Sequence, residues 1–208
     1  MTRPPRPSPL YSLIAVVSWP VLKLAFRYRA RGQEHLPASG GYVLAAGHLS
    51  NLDPWAIGIP LWPRRFLRFM AKSELFWFPL SAIASGAGAF KVNRGQADYA
   101  AIETAVRLAR EGNVIAMFPE GTRRRKGLRK KYEAVAHTGA ARIALEAGVP
   151  LVPAGIKGTD GLRRLEPWRV AYGRPVELDD LRGLELSEAA RTATDRLMSA
   201  IMDLEGSL

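Results

Sequence analysis

The sequence predicts an α/β fold, a single domain in which a mixed, mostly parallel sheet is flanked by helices. Three observations carry that expectation. The chain has 208 residues, the size of one domain able to bury a core without disulfides or a structural metal. Its composition, 48% hydrophobic and 24% charged, is that of a globular protein and excludes disordered or fibrous classes. Beyond Gly32, short apolar runs alternate with segments of helical periodicity, as in a sheet covered by helices. No internal repeat and no second domain boundary is visible.

The first nine residues, MTRPPRPSP, are rich in proline and arginine, and residues 1–9 are expected to form a flexible tail. From Leu10 to Phe26 the chain is strongly apolar, with Lys23 its only charge. This stretch lies at the lower edge of what spans a bilayer, and Pro20 removes a backbone donor and bends or breaks a helix, so an interfacial position is favoured over a full span. Arg27, Arg29 and Arg31 follow and suit anionic headgroups, which makes residues 10–31 an N-terminal apolar membrane-associating segment. The alternative is a buried core helix. A cleaved signal peptide is disfavoured, because basic and aromatic residues stand where a small-residue cleavage site belongs.

Tyr42 to Ala46 reads as a strand, and Asp53-Pro54 as the N-cap and first residue of a helix. Phe66 to Ala71 is the next strand, with Ser73 set to cap a short apolar helix from Glu74. Ala87 to Val92 is a further strand, after which Asp98 caps a helix carrying Ile102, Ala105, Val106, Leu108 and Ala109 inward and closed by Gly112. Val114 to Phe118 is a buried strand, Gly139 to Ala147 a helix ended by Gly148, and Leu151 to Ile156 another strand. A helix from Ser187 to Leu204 closes the chain, with Ala193, Leu197, Ile201 and Leu204 on one face.

Thirty lysines and arginines against nineteen acidic residues leave a net charge of +11, a field that attracts phosphates, nucleic acid or an anionic membrane. Cysteine is absent, which removes disulfide scaffolds, thiolate zinc sites and cysteine nucleophiles together. With three histidines, a His-rich metal cluster is not expected.

His48 combines a loop position after a strand with a nearby carboxylate, in Gly47-His48-Leu49-Ser50-Asn51-Leu52-Asp53. In a continuous helix, five steps of about 100° would keep His48 and Asp53 apart, whereas a turn before the helix lets them meet. The carboxylate would then hold one imidazole nitrogen and fix the tautomer, leaving the other to take a proton. For a lone pair at this spacing, a loop histidine beside an ordinary helix cap is the plainer interpretation. His35 and His137 read as structural or solvent-exposed.

Three further segments change that balance. Gly88-Ala89-Phe90-Lys91-Val92-Asn93-Arg94 delivers an arginine at the end of an apolar strand. Phe118-Pro119-Glu120-Gly121-Thr122-Arg123 runs a strand into a turn bearing a carboxylate, a glycine, a hydroxyl and a guanidinium. Arginine grips phosphate through paired charge-assisted hydrogen bonds, and glycine lets backbone amides approach the same oxygens, so Arg94 and Arg123 would make a phosphate pocket if they converge. Val149-Pro150-Leu151-Val152-Pro153-Ala154 is an apolar strand bracketed by prolines, suited to line a hydrocarbon slot or to join the core.

In this order the segments resemble the glycerolipid acyltransferase family, typified by 1-acyl-glycerol-3-phosphate acyltransferases, whose blocks are His-x4-Asp, Gly-x-x-Phe-x-x-Arg, Phe-Pro-Glu-Gly-Thr-Arg and a proline-containing apolar strand. The blocks cover about half the chain, between His48 and Pro153. The resemblance implies that His48 is the general base and Asp53 its partner, and that Arg94, Glu120, Gly121, Thr122 and Arg123 bind the glycerophosphate acceptor. Lys72 resembles a lysine found near that phosphate. Gly47 and Asn93 depart from the asparagine and aspartate common at those places, which leaves the acceptor headgroup open.

The implied enzyme is an O-acyltransferase in residues 32–208, with its motif core in 42–158. It would move an acyl group from acyl-CoA or acyl carrier protein to a lysophospholipid in phospholipid synthesis, at the cytoplasmic face of the cell membrane. Direct attack on the thioester needs no acyl-enzyme, which agrees with the missing cysteine and the lack of a Gly-x-Ser-x-Gly elbow. No metal or bound organic cofactor is expected. The run Arg123 to Lys131, RRRKGLRKK, suits contact with the donor or with anionic lipid. Alternatives are another lysolipid or glycolipid acceptor, or a catalytically silent lipid-binding protein. A nucleic-acid partner is disfavoured, since neither interleaved aromatics nor a zinc-finger or basic-zipper pattern accompanies the charge.

Overall fold

In a computed structural model, residues 6–72, 77, 80–92, 99–121 and 136–208 are described. The strands are β1 (Arg29–Arg31), β2 (Tyr42–Ala46), β3 (Leu67–Lys72), β4 (Ala89–Val92), β5 (Val114–Met117), β6 (Leu151–Lys157) and β7 (Arg169–Tyr172). The helices are α1 (Pro9–Leu24), α2 (Asp53–Gly58), α3 (Leu80–Gly86), α4 (Tyr99–Arg110), α5 (Gly139–Ala147) and α6 (Leu186–Gly206). The strands form one sheet in the order β1-β7-β6-β2-β5-β3-β4. Every neighbouring pair is parallel except β6 with β7, so the sheet is mixed and mostly parallel, as expected.

Strand alternation sorts the core into two layers. Val43 and Ala45 of β2 face α4, α5 and α6, while Tyr42, Leu44 and Ala46 face α1 and α2. With helices on both faces, β2 is buried throughout and β6 from Leu151 to Ile156, which is why they read as continuous apolar runs. On α4, Ala101, Ala105, Val106, Leu108 and Ala109 form the buried stripe. α5 ends where Gly148, at φ 65°, turns left-handed and donates its N–H to the carbonyls of Ala144 and Leu145.

Several expectations are corrected. α1 begins at Pro9, inside the stretch assigned to the tail, with Ser8 Oγ accepting from the Tyr11 N–H at 3.0 Å. Of the two outcomes expected at Pro20, a bend or a break, the break does not occur, and the helix runs on to Leu24. Leu52, not Asp53, occupies the N-cap of α2, and Asp53 is its first helical residue. Neither β1 nor β7 is legible in the sequence, because strands of three and four residues are too short for a period of two to show. The cap and helix start expected at Ser73 and Glu74, and the cap at Asp98, lie outside the described residues.

One cation has a purely structural place. Arg65 is buried, donates to the carbonyls of Pro37, Gly40 and Gly112, and lies over the Tyr42 ring. Burial lowers the pKa of its guanidinium.

Candidate active site

β2 lies between β5 and β6, in parallel with both, so the segments leaving these three strands emerge together at one edge of the sheet. That edge, at the carboxyl ends of parallel strands, is where open α/β sheets bind ligands. β2 leads to His48, β5 to Phe118 and Glu120, and β6 to Thr159.

Between β2 and α2 the chain makes the turn that the His48–Asp53 spacing requires. Asp53 N–H donates to the Ser50 carbonyl at 3.1 Å, and the carboxylate folds back over the turn. Its Oδ2 lies 2.8 Å from His48 Nδ1 and accepts from the amides of Leu49 (2.6 Å) and Ser50 (2.7 Å). An oxygen that receives two amide donors is an acceptor for the imidazole as well, so Nδ1 carries the hydrogen and, in the neutral ring, the lone pair falls on Nε2. Asp53 is fully buried, whereas the His48 side chain keeps 16% of its surface exposed. The acceptor is thus held inside and the basic nitrogen belongs to a ring that solutes can reach.

The ring plane is fixed separately. Phe118 stacks on His48 with centroids 4.3 Å apart and planes 23° from parallel. α2 is fixed from its other end: Tyr28 donates to the Ala56 carbonyl and Tyr172 to that of Ile57, each at 2.7 Å. Burial pushes both phenols well above their ordinary range, so they remain neutral donors there. Trp55 Nε1 donates to Ser18 Oγ at 3.1 Å, tying α2 to α1.

At the end of β5, Glu120 is buried and Gly121 turns left-handed at φ 65°. A side chain at Gly121 would be strained, and its Cβ would stand 2.8 Å from His137 Cδ2. His137 is exposed, and its N–H donates to the Pro119 carbonyl at 2.7 Å. Lys72 ends β3, but its side chain is outside the described residues, as are Arg94, Thr122, Arg123 and the basic run to Lys131. Sequence reasoning missed Phe118 as a ring support and missed Thr159 altogether. Thr159 donates to Asp53 Oδ1 at 2.5 Å from 106 positions along the chain, and no local spacing signals such a contact.

Fold and site together are those of an α/β enzyme that gathers a histidine–carboxylate pair where its central parallel strands end. The chain belongs to the acyltransferase family, whose model matches residues 27–157. It is 29% identical over 205 residues to the 1-acyl-sn-glycerol-3-phosphate acyltransferase of Bacillus subtilis (strain 168), an alignment covering 96% of this chain and 98% of that protein. It is 33% identical over 131 residues to the human 1-acyl-sn-glycerol-3-phosphate acyltransferase alpha, covering 61% of this chain and 44% of the human protein. In fold it resembles the crystal structure of the 1-acyl-sn-glycerophosphate (LPA) acyltransferase PlsC of Thermotoga maritima, with a TM-score of 0.61 and 19% identity over 94% of this chain and 93% of that one.

Proposed function

We propose that the protein transfers a fatty acyl group from a thioester donor to the free hydroxyl of 1-acyl-glycerol-3-phosphate, giving phosphatidic acid in phospholipid synthesis. The observation that carries this is the His48–Asp53 pair, with Nδ1 committed to a buried carboxylate and Nε2 left as a base. The substrate follows from the names of the relatives that the chain resembles, one of them over nearly its whole length.

Nε2 of His48 takes the proton of the acceptor hydroxyl as its oxygen attacks the thioester carbonyl carbon. The tetrahedral intermediate collapses, the C–S bond breaks, and the thiolate recovers the proton from the imidazolium. No acyl-enzyme, metal or organic cofactor takes part. Asp53 favours the cationic imidazole of the middle step. Arg94, Arg123 and Lys72 are assigned to the acceptor phosphate, together with the Thr122 hydroxyl and the Gly121 backbone. Glu120, a carboxylate, suits the glycerol hydroxyls better than the phosphate. The donor is acyl-CoA or acyl carrier protein, with the basic run to Lys131 as its contact.

The test is to incubate the pure protein with one acyl-CoA and a panel of lysolipids and weigh the products. Phosphatidic acid is the expected main product, and preferential acylation of a phosphate-free acceptor would overturn the arginine assignment.

The protein is proposed to work on the cytoplasmic face of the cell membrane, held there by residues 10–31. Among the described residues no helix is long and apolar enough to cross a membrane. α1 does have two apolar faces: Tyr11, Ala15 and Leu22 are buried, while Leu13, Val16, Val17, Val21 and Leu24 form an exposed stripe at helical spacing. Arg27 and Arg29 follow it, both exposed. Arg31 has a second task, donating to the Ser207 carbonyl at 2.8 Å just past α6. Leu24, 81% exposed, has nearly its whole side chain to bury in lipid. That burial is worth about 1.5 kcal/mol, so Leu24→Glu should weaken binding to phosphatidylglycerol-containing vesicles by about tenfold or more in sedimentation. Unchanged binding would remove α1 from the interface.

A further inference from the structure

We propose that Thr159 is a positioning residue of the catalytic pair, acting through Asp53 to aim His48. The proposal rests on the reading of His48 as the base. Asp53 is fully buried, and its oxygens are used unequally: Oδ2 serves His48 and two backbone amides, and Oδ1 accepts from Thr159 Oγ1 at 2.5 Å. This length is typical of a hydroxyl donating to a carboxylate. Thr159 is itself only 1% exposed, so no solvent competes for either partner.

The geometry gives that hydroxyl a task beyond being satisfied. The three contacts on Oδ2 come from His48, Leu49 and Ser50, all in the turn before α2, and they leave the far edge of the carboxylate unsupported. Thr159 approaches that edge from the end of β6, on the opposite side of β2 from Phe118. It is turned inward after Gly158, whose φ of 88° and close approach to the Pro167 carbonyl leave no room for a Cβ. The carboxylate is therefore gripped by two separate elements, and its plane is fixed. Without the β6 contact it can rotate about its Cβ–Cγ bond, and Nδ1 follows. The misaligned Nε2 then meets the acceptor hydroxyl off line, an error that lowers turnover more than binding.

The test is steady-state kinetics on the full chain, with lysophosphatidic acid in detergent micelles and an acyl-CoA, for Thr159→Val, Thr159→Ala and Thr159→Ser beside His48→Ala. Valine keeps the shape and removes the hydroxyl, and the serine–alanine pair isolates the hydroxyl with the methyl gone from both. Thr159→Val and Thr159→Ala should lose about 10–100-fold in kcat with KM for both substrates within about twofold, and Thr159→Ser should recover to within about threefold of wild type. In 15N-histidine NMR, the hydroxyl-free variants should show His48 moving from one tautomer to a mixture, a change that a merely structural role would not produce. The proposal is overturned if kcat survives in a folded hydroxyl-free variant, if serine fails to rescue, or if removing the hydroxyl abolishes folding while serine folds. Wild-type activity in His48→Ala would sink the base assignment itself. An inactive His48→Ala beside fully active Thr159 variants sinks only the present proposal.

Discussion

Replacing His48 by alanine is expected to lower kcat by about a thousandfold, within the range that a positioned general base supplies. The other two histidines do not compensate. His35 Nδ1 lies 3.0 Å from the Tyr172 carbonyl, away from this turn, and His137 stands over Gly121 with no carboxylate contact among its described interactions. The fold should survive the change. His48 contributes one hydrogen bond to Asp53 and one face to Phe118, and Asp53 keeps its bonds from Leu49, Ser50 and Thr159. A stability loss of about 1–2 kcal/mol is expected. Thiol release from an acyl-CoA measures the rate, and thermal melting measures the fold. A folded His48→Ala variant retaining more than about a tenth of wild-type kcat would rule out base catalysis by this imidazole.

Asp53 gives the second large effect, and two substitutions separate its roles. Asparagine keeps the volume. Its carbonyl can face the Leu49 and Ser50 amides, and its NH2 can face Thr159, whose hydroxyl can rotate to accept. Asp53→Asn should therefore fold, yet lose about 100–10,000-fold in kcat, because a neutral amide does not stabilise the imidazolium of the middle step. Asp53→Ala removes the acceptor from three short contacts to Leu49, Ser50 and Thr159 in a fully buried place. It should cost about 3–5 kcal/mol as well as activity, read as a fall in the denaturation midpoint. If Asp53→Asn turns over at the wild-type rate, the carboxylate is structural and the mechanism loses its electrostatic partner.

These effects follow from a turn that is local in sequence, and local features were the legible ones. The five-residue separation of His48 and Asp53 rules out contact within a helix and allows it across a turn, and the 2.8 Å contact is of that kind. β2, α5 and the inward face of α4 carried patterns long or apolar enough to read, as did α6, where the expected start was one residue late and the expected end two residues early. Asp53 as a helix cap was the natural expectation from Asp-Pro, and tertiary context overrode it: the carboxylate turned to the imidazole and two preceding amides, leaving the cap position to Leu52. The edge strand β1 and its neighbour β7 are not legible because their pairing, not their composition, makes them strands.

By itself the sequence determined the class of fold, the chemistry available to the site and the family, since hydrophobic period, turn residues and motif spacing all act over a few residues. Only the tertiary structure decided which strand ends meet. Placing β2 between β5 and β6 brings Phe118 onto the His48 ring and Thr159 onto Asp53, and setting β7 antiparallel beside β6 lets Tyr172 reach the Ile57 carbonyl. Such contacts join residues as much as 115 positions apart. They are set by how whole elements pack against one another, and no local spacing encodes that.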